Sequence, residues 1–100
     1  MGFSFKIKWS EKSLQDLDQI LDYLEKEWTK KEIQNFKEKL FNRIEIIGKY
    51  PKIFKASEIK PQLRRSVLSK QTSIFYQIQP EKKTISIVRL FDNRMDINRL

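Results

Sequence analysis

The 100 residues contain no cysteine and no histidine. Without thiols there is neither a disulfide nor a thiolate zinc site, and without imidazole the commonest metal ligand and general base is missing. No apolar run approaches the ~18 residues needed to span a bilayer, and the opening "MGFSFKIKWSE" has no continuous apolar stretch of the kind a secretory leader requires. There is also no internal repeat, low-complexity tract or flexible linker. These absences exclude a disulfide scaffold and a helical membrane protein and call for no cofactor. They predict a cytoplasmic chain with no membrane partner.

What is present describes a single domain over residues 1–100. Hydrophobic residues make up 39% and charged residues 34%, and a chain of this length buries about 60 to 65% of its unfolded surface. The net charge of +8 is uneven. Residues 1–63 carry 13 basic and 10 acidic side chains, whereas residues 64–100 carry 8 basic and 3 acidic, with five of the six arginines. Arginine offers a planar fork that matches phosphate and carboxylate, so the C-terminal third is the expected binding face and its partner is anionic.

The alternation in "FSFKIKW" puts Phe3, Phe5, Ile7 and Trp9 on one face of a half-buried strand. Ser10 or Ser13 caps a following helix, Ser13 standing at capping-box distance from Asp16. The apolar stripe of that helix is Leu14, Leu17, Leu21, Leu24 and Trp28, widened by Ile20. Thr29 and Glu32 form a second capping box before Ile33, Phe36, Leu40, Ile44 and Ile47, and Gly48 and Pro51 end the second helix. Two such helices with almost no loop between them fold back as an antiparallel hairpin.

Residues 49–62 form an ordered connector that Ile53 and Phe54 pin to the core. Then "LRRSVLS", "SIFYQIQ" and "TISIVRLF" follow at hairpin spacings and predict an antiparallel meander. In the last of these, Ile85, Ile87 and Arg89 share one face, while Val88 and Leu90 take the other, as in a central strand. The fold class is α+β, in the order β-α-α-β-β-β, with the helical hairpin packed on one face of an antiparallel sheet.

The chain resembles the RelE/ParE superfamily of bacterial type II toxins. The resemblance is carried by "SLQDLDQILDYLEKEW", "RIEIIGKYPKIF", "LRRSVLSKQTSIFYQI" and "ISIVRLFDNR", and it covers almost the whole chain. It implies a small basic protein that halts growth until a cognate antitoxin with an acidic segment binds it, as a homodimer or within a toxin-antitoxin hetero-oligomer. Two activities occur in the superfamily: ParE-like inhibition of DNA gyrase, and RelE-like cleavage of ribosome-bound mRNA. The long hairpin and the missing histidine favour the ParE-like branch.

RNA cleavage needs a base, an acid and cations around the phosphorus. Arg64, Arg65, Arg89 and Arg94 are the candidate cations and Asp92 the candidate base. A carboxylate between two guanidinium groups is a weak base, however, because the neighbouring cations favour its ionised form. The RelE-like nucleases carry a C-terminal tyrosine or a histidine, and Leu90 and Phe91 stand where that tyrosine is sought. Tyr76, alternating with Ile74 and Ile78, reads as a core residue. The anion- or target-binding set is Arg64, Arg65, Arg89, Arg94 and Arg99. In its structural reading, either Arg64 or Arg65 pairs with a helix carboxylate such as Asp18 or Asp22.

Overall fold

The computed structural model describes residues 4–58 and 60–93. Its elements are β1 (Lys6–Trp9), α1 (Glu11–Glu27), α2 (Lys30–Lys49), β2 (Arg64–Val67), β3 (Thr72–Gln79) and β4 (Thr84–Asp92), with a short 3₁₀ turn at Pro80–Lys82. The strand order across the sheet is β1-β4-β3-β2. As expected, β4 is central, and β2, β3 and β4 form an antiparallel meander. The first strand departs from the all-antiparallel expectation: β1 runs parallel to β4, with Ile7 opposite Ile85 and Trp9 opposite Ile87. Alternation fixes which side chains share a face, but it carries no information about strand direction.

The core lies between the hairpin and one face of the sheet. Ile20 and Leu24 of α1 and Leu40, Ile44 and Ile47 of α2 meet Ile74, Tyr76, Ile85, Ile87 and Leu90, all of them buried. Truncating any of these aliphatic side chains to alanine costs about 2–5 kcal/mol, a lost transfer term plus a residual cavity.

The buried stripe of α1 is Ser13, Asp16, Ile20 and Leu24, one residue out of phase with the leucine stripe read from the sequence. Leu14 is consequently 48% exposed, and Trp28, which caps the end of the helix in extended backbone, is 40% exposed. The rotation follows from what the helix start must do. Ser10 is the N-cap, accepting from the Ser13 amide at 2.9 Å, and its hydroxyl also donates to the Val88 carbonyl at 2.9 Å. Asp16 is therefore not the partner of a capping box and turns toward β4 instead.

The second helix keeps its expected start, with a capping box between Thr29 and Glu32. Gly48 lies buried inside its last turn rather than beyond it, where β1 comes close enough for the Phe5 amide to donate to the Gly48 carbonyl at 2.9 Å. In the connector, Phe54 packs against the core as expected, whereas Ile53 does not and is 61% exposed.

Candidate anion-binding face

A bulge in β4 decides where its arginine goes. Tyr76 pairs with Ile87 but Phe75 pairs with Arg89, so Val88 is an extra residue on β4. One added residue reverses the alternation beyond it. Leu90 thereby joins Ile85 and Ile87 in the core, while Arg89 leaves the face it was expected to share with them. The cross-strand row Arg89, Phe75 and Arg65 runs over the face away from the helices. Lys6 and Lys8 alternate with the core-packed Ile7 and Trp9, so they add to the same face from β1. Among the described residues, the strand positions of this face carry no carboxylate.

Arg89 is held by Asp16, its Nε donating to Oδ2 at 2.7 Å and its Nη2 to Oδ1 at 3.1 Å. The same Oδ2 accepts from the Leu90 amide at 3.0 Å. β1 has ended by this point, so the carboxylate satisfies a strand amide that a neighbouring strand would otherwise pair. The bond from Asp16 pushes the Arg89 guanidinium further above its usual range, which keeps it charged. Its side chain remains 38% exposed, and two of the five guanidinium N–H groups are engaged by the carboxylate.

The neighbouring pair in β2 divides as alternation requires. Arg65 is exposed on the open face, its Nε donating to the Ser73 hydroxyl at 3.1 Å and its guanidinium lying 5.9 Å from the Phe75 ring centroid. Arg64 sits on the helix side beside Tyr76 and donates to the Phe54 carbonyl at 2.6 Å. Neither forms the expected ion pair with Asp18 or Asp22; the helix carboxylate that finds an arginine is Asp16, and the arginine is Arg89. The reason is distance along the fold: α1 packs against β4, whereas β2 lies at the far edge of the sheet.

Asp92 is buried and accepts from the Thr72 hydroxyl at 3.0 Å. Arg94 and Arg99 lie outside the described residues. Tyr76 is fully buried, its hydroxyl donating to the Pro51 carbonyl at 2.6 Å, and burial pushes its pKa up to about 12. It stands on the core side of the sheet, away from the arginine row. The sequence reading passed over Arg43, the one arginine outside the C-terminal third. Arg43 ties α2 to the end of β2 through the Ser66 hydroxyl at 2.9 Å and the Val67 carbonyl at 2.8 Å, with its guanidinium 5.4 Å from the Phe54 ring centroid.

The open face thus presents two guanidinium groups on either side of an aromatic ring, about 10 Å apart across two strand spacings. Guanidinium groups so placed have the chemistry to pair with an anion or with developing negative charge. Among the described residues, the carboxylate that reaches this face, Asp16, is already bound to the Arg89 guanidinium and the Leu90 amide.

Residues 7–97 match the family model described as the ParE toxin of the type II toxin-antitoxin system parDE. Among solved structures, the chain is similar to one from the chromosomal ParDE system of Pseudomonas aeruginosa, with a TM-score of 0.73 and 19% identity over 91% of this chain and 98% of that one. It is also similar to a chain of the RelBE2 toxin-antitoxin complex from Mycobacterium tuberculosis, with a TM-score of 0.60 and 14% identity over 89% and 98%. A chain of the intact Escherichia coli RelBE complex gives a TM-score of 0.57 and 15% identity over 89% and 96%. No curated protein sequence matches.

Proposed function

The chain belongs to the ParE toxin family of type II toxin-antitoxin systems, and from that premise we propose that it arrests growth by binding DNA gyrase and that a cognate antitoxin neutralises it. The observation that carries this reading is the chemistry of the open face. Arg65 and Arg89 supply cations around Phe75, but a nuclease must also move protons, and the chain has no histidine for that task. Tyr76 is sealed on the opposite side with its proton held to about pH 12, and Asp92 is buried against Thr72. A face that offers cations with neither a histidine nor a tyrosine beside them suits an inhibitor that works by binding.

The antitoxin half of the proposal draws on the kinship with chains from toxin-antitoxin complexes of the same fold. The basic balance of this chain then favours an acidic segment in its partner. The test compares gyrase supercoiling and cleavage of ribosome-bound mRNA on one preparation. Loss of supercoiling with intact message is the expected result. Cleaved message with unimpaired supercoiling would replace the proposal by the RelE-like nuclease reading.

A further inference from the structure

We propose that the acidic partner segment is anchored in an apolar groove formed by the start of β1, the connector after α2 and the turn before β4. The inference rests on the reading of this chain as a neutralisable toxin, and it names where the neutralising segment docks. Phe5, Tyr50, Pro51, Ile53, Ile78 and Pro80 line an open groove, with Lys52 at its side. Tyr50 is 62% exposed and Ile53 61% exposed, the two most exposed large apolar side chains among the described residues. Adjacent exposed apolar groups of this size mark a surface that something else covers.

Charge identifies the occupant. The three segments that build the groove, residues 5–8, 49–55 and 78–83, contain seven lysines and one acidic residue, Glu81. All seven lysines are exposed. A second copy of the chain would bring the same lysines against these and be repelled. A nucleic acid would meet the cations, but Phe5 is packed against the core, and Tyr50 as the one exposed ring provides no stacking platform. A peptide with leucine or aromatic anchors and flanking carboxylates satisfies both halves of the surface, its apolar side chains entering the groove and its carboxylates meeting the lysine rim. The groove lining shares no residue with the arginine row, so a change at Ile53 leaves that row's cations in place.

The test uses the full chain, isotope-labelled for NMR, and a synthetic peptide with leucines on one helical face and glutamates on the other. Chemical-shift changes are expected at the amides of Phe5, Tyr50, Ile53 and Ile78. Affinity should fall at least about tenfold in Ile53→Ser and with a peptide carrying serine for leucine, the usual cost of losing a buried anchor. Shifts confined to the arginine row, equal binding of the serine peptide, displacement of the peptide by a short DNA duplex, or a dimer of the chain abolished by Ile53→Ser would each overturn the proposal. In cells, Ile53→Ser should still arrest growth yet escape the cognate antitoxin. Full neutralisation of that variant would overturn the groove. Wild-type chain that fails to arrest growth would overturn the toxin reading instead, and the peptide titration would then judge the groove by itself.

Discussion

The helical hairpin and the remainder of the chain differ in electrical character: residues 11–49 carry nine acidic and eight basic side chains, whereas residues 1–10 and 50–100 carry four acidic and thirteen basic. The hairpin is close to neutral and the sheet with its connector holds the whole positive excess. Inside the sheet region the cations divide again. Arg64 and Arg89 are tied down by the connector carbonyl of Phe54 and by Asp16, whereas Arg65 stays on the open surface. Net charge therefore says which layer meets an anion, and strand alternation with the bulge at Val88 says that Arg65 and Arg89 face it while Arg64 does not.

The sharpest way to break this division is Asp16→Ala. The substitution removes a bidentate pair and leaves the buried Leu90 amide without its acceptor. A loss of about 3–4 kcal/mol is expected, since an orphaned donor and an unpaired charge add to the lost bonds. Chemical denaturation checks it. A loss below about 1 kcal/mol would mean that Arg89 is a surface cation like Arg65 and that the clamp between the layers is weak.

Tyr76→Phe probes the opposite face. At neutral pH it removes the bond to the Pro51 carbonyl and should cost about 1–2 kcal/mol. Alkaline pH adds a second signature. The phenol of the unfolded chain ionises near 10.0, while the folded one keeps its proton to about 12. The stabilisation from the neutral buried phenol is thus complete below pH 10 and is lost as pH rises from 10 to 12. That loss is worth about 2–3 kcal/mol over two pKa units. Denaturation midpoints across this range should fall less in Tyr76→Phe than in the wild type, and parallel curves would place the hydroxyl in water.

The smallest expected effect on stability separates two adjacent arginines. Arg64→Ala should cost about 1 kcal/mol through its lost bond to Phe54. Arg65→Ala should change stability by less than about 0.5 kcal/mol, as at most exposed sites, while lowering the affinity of the open face for its anionic partner and flattening the salt dependence of association. Thermal melts and salt-dependent association rates measure the two effects. If the assignments were reversed, the register of β2 would be displaced by one residue.

Much of the fold was legible because it depends on local chemistry. Thr29 and Glu32 announce the start of α2 three residues apart, and Phe5, Ile7 and Trp9 announce a strand face by alternation. The candidate site was less legible. Alternation places Arg89 on the face of Ile85 and Ile87, but its true face depends on the bulge at Val88. No composition or period encodes one extra residue whose carbonyl accepts from a serine 78 positions away. Asp16 is ambiguous for a similar reason: a serine three residues before a carboxylate has the spacing of a capping box, and only the packing of α1 against β4 shows which partner the carboxylate takes. Ile53 illustrates the converse, since an apolar residue between lysines reads as an anchor whether or not the core has room for it.

The order of elements, the hairpin, the central placement of β4 and the basic character of the C-terminal third can be read from residue order, because periodicity, caps and charge are written residue by residue. The parallel pairing of β1, the rotation of α1 that exposes Leu14, the clamp of Asp16 on Arg89 and which of Arg64 and Arg65 faces the helices emerge from packing. Each of these depends on which distant groups compete for the same amide, carboxylate or core position, and that competition exists only once the chain has folded.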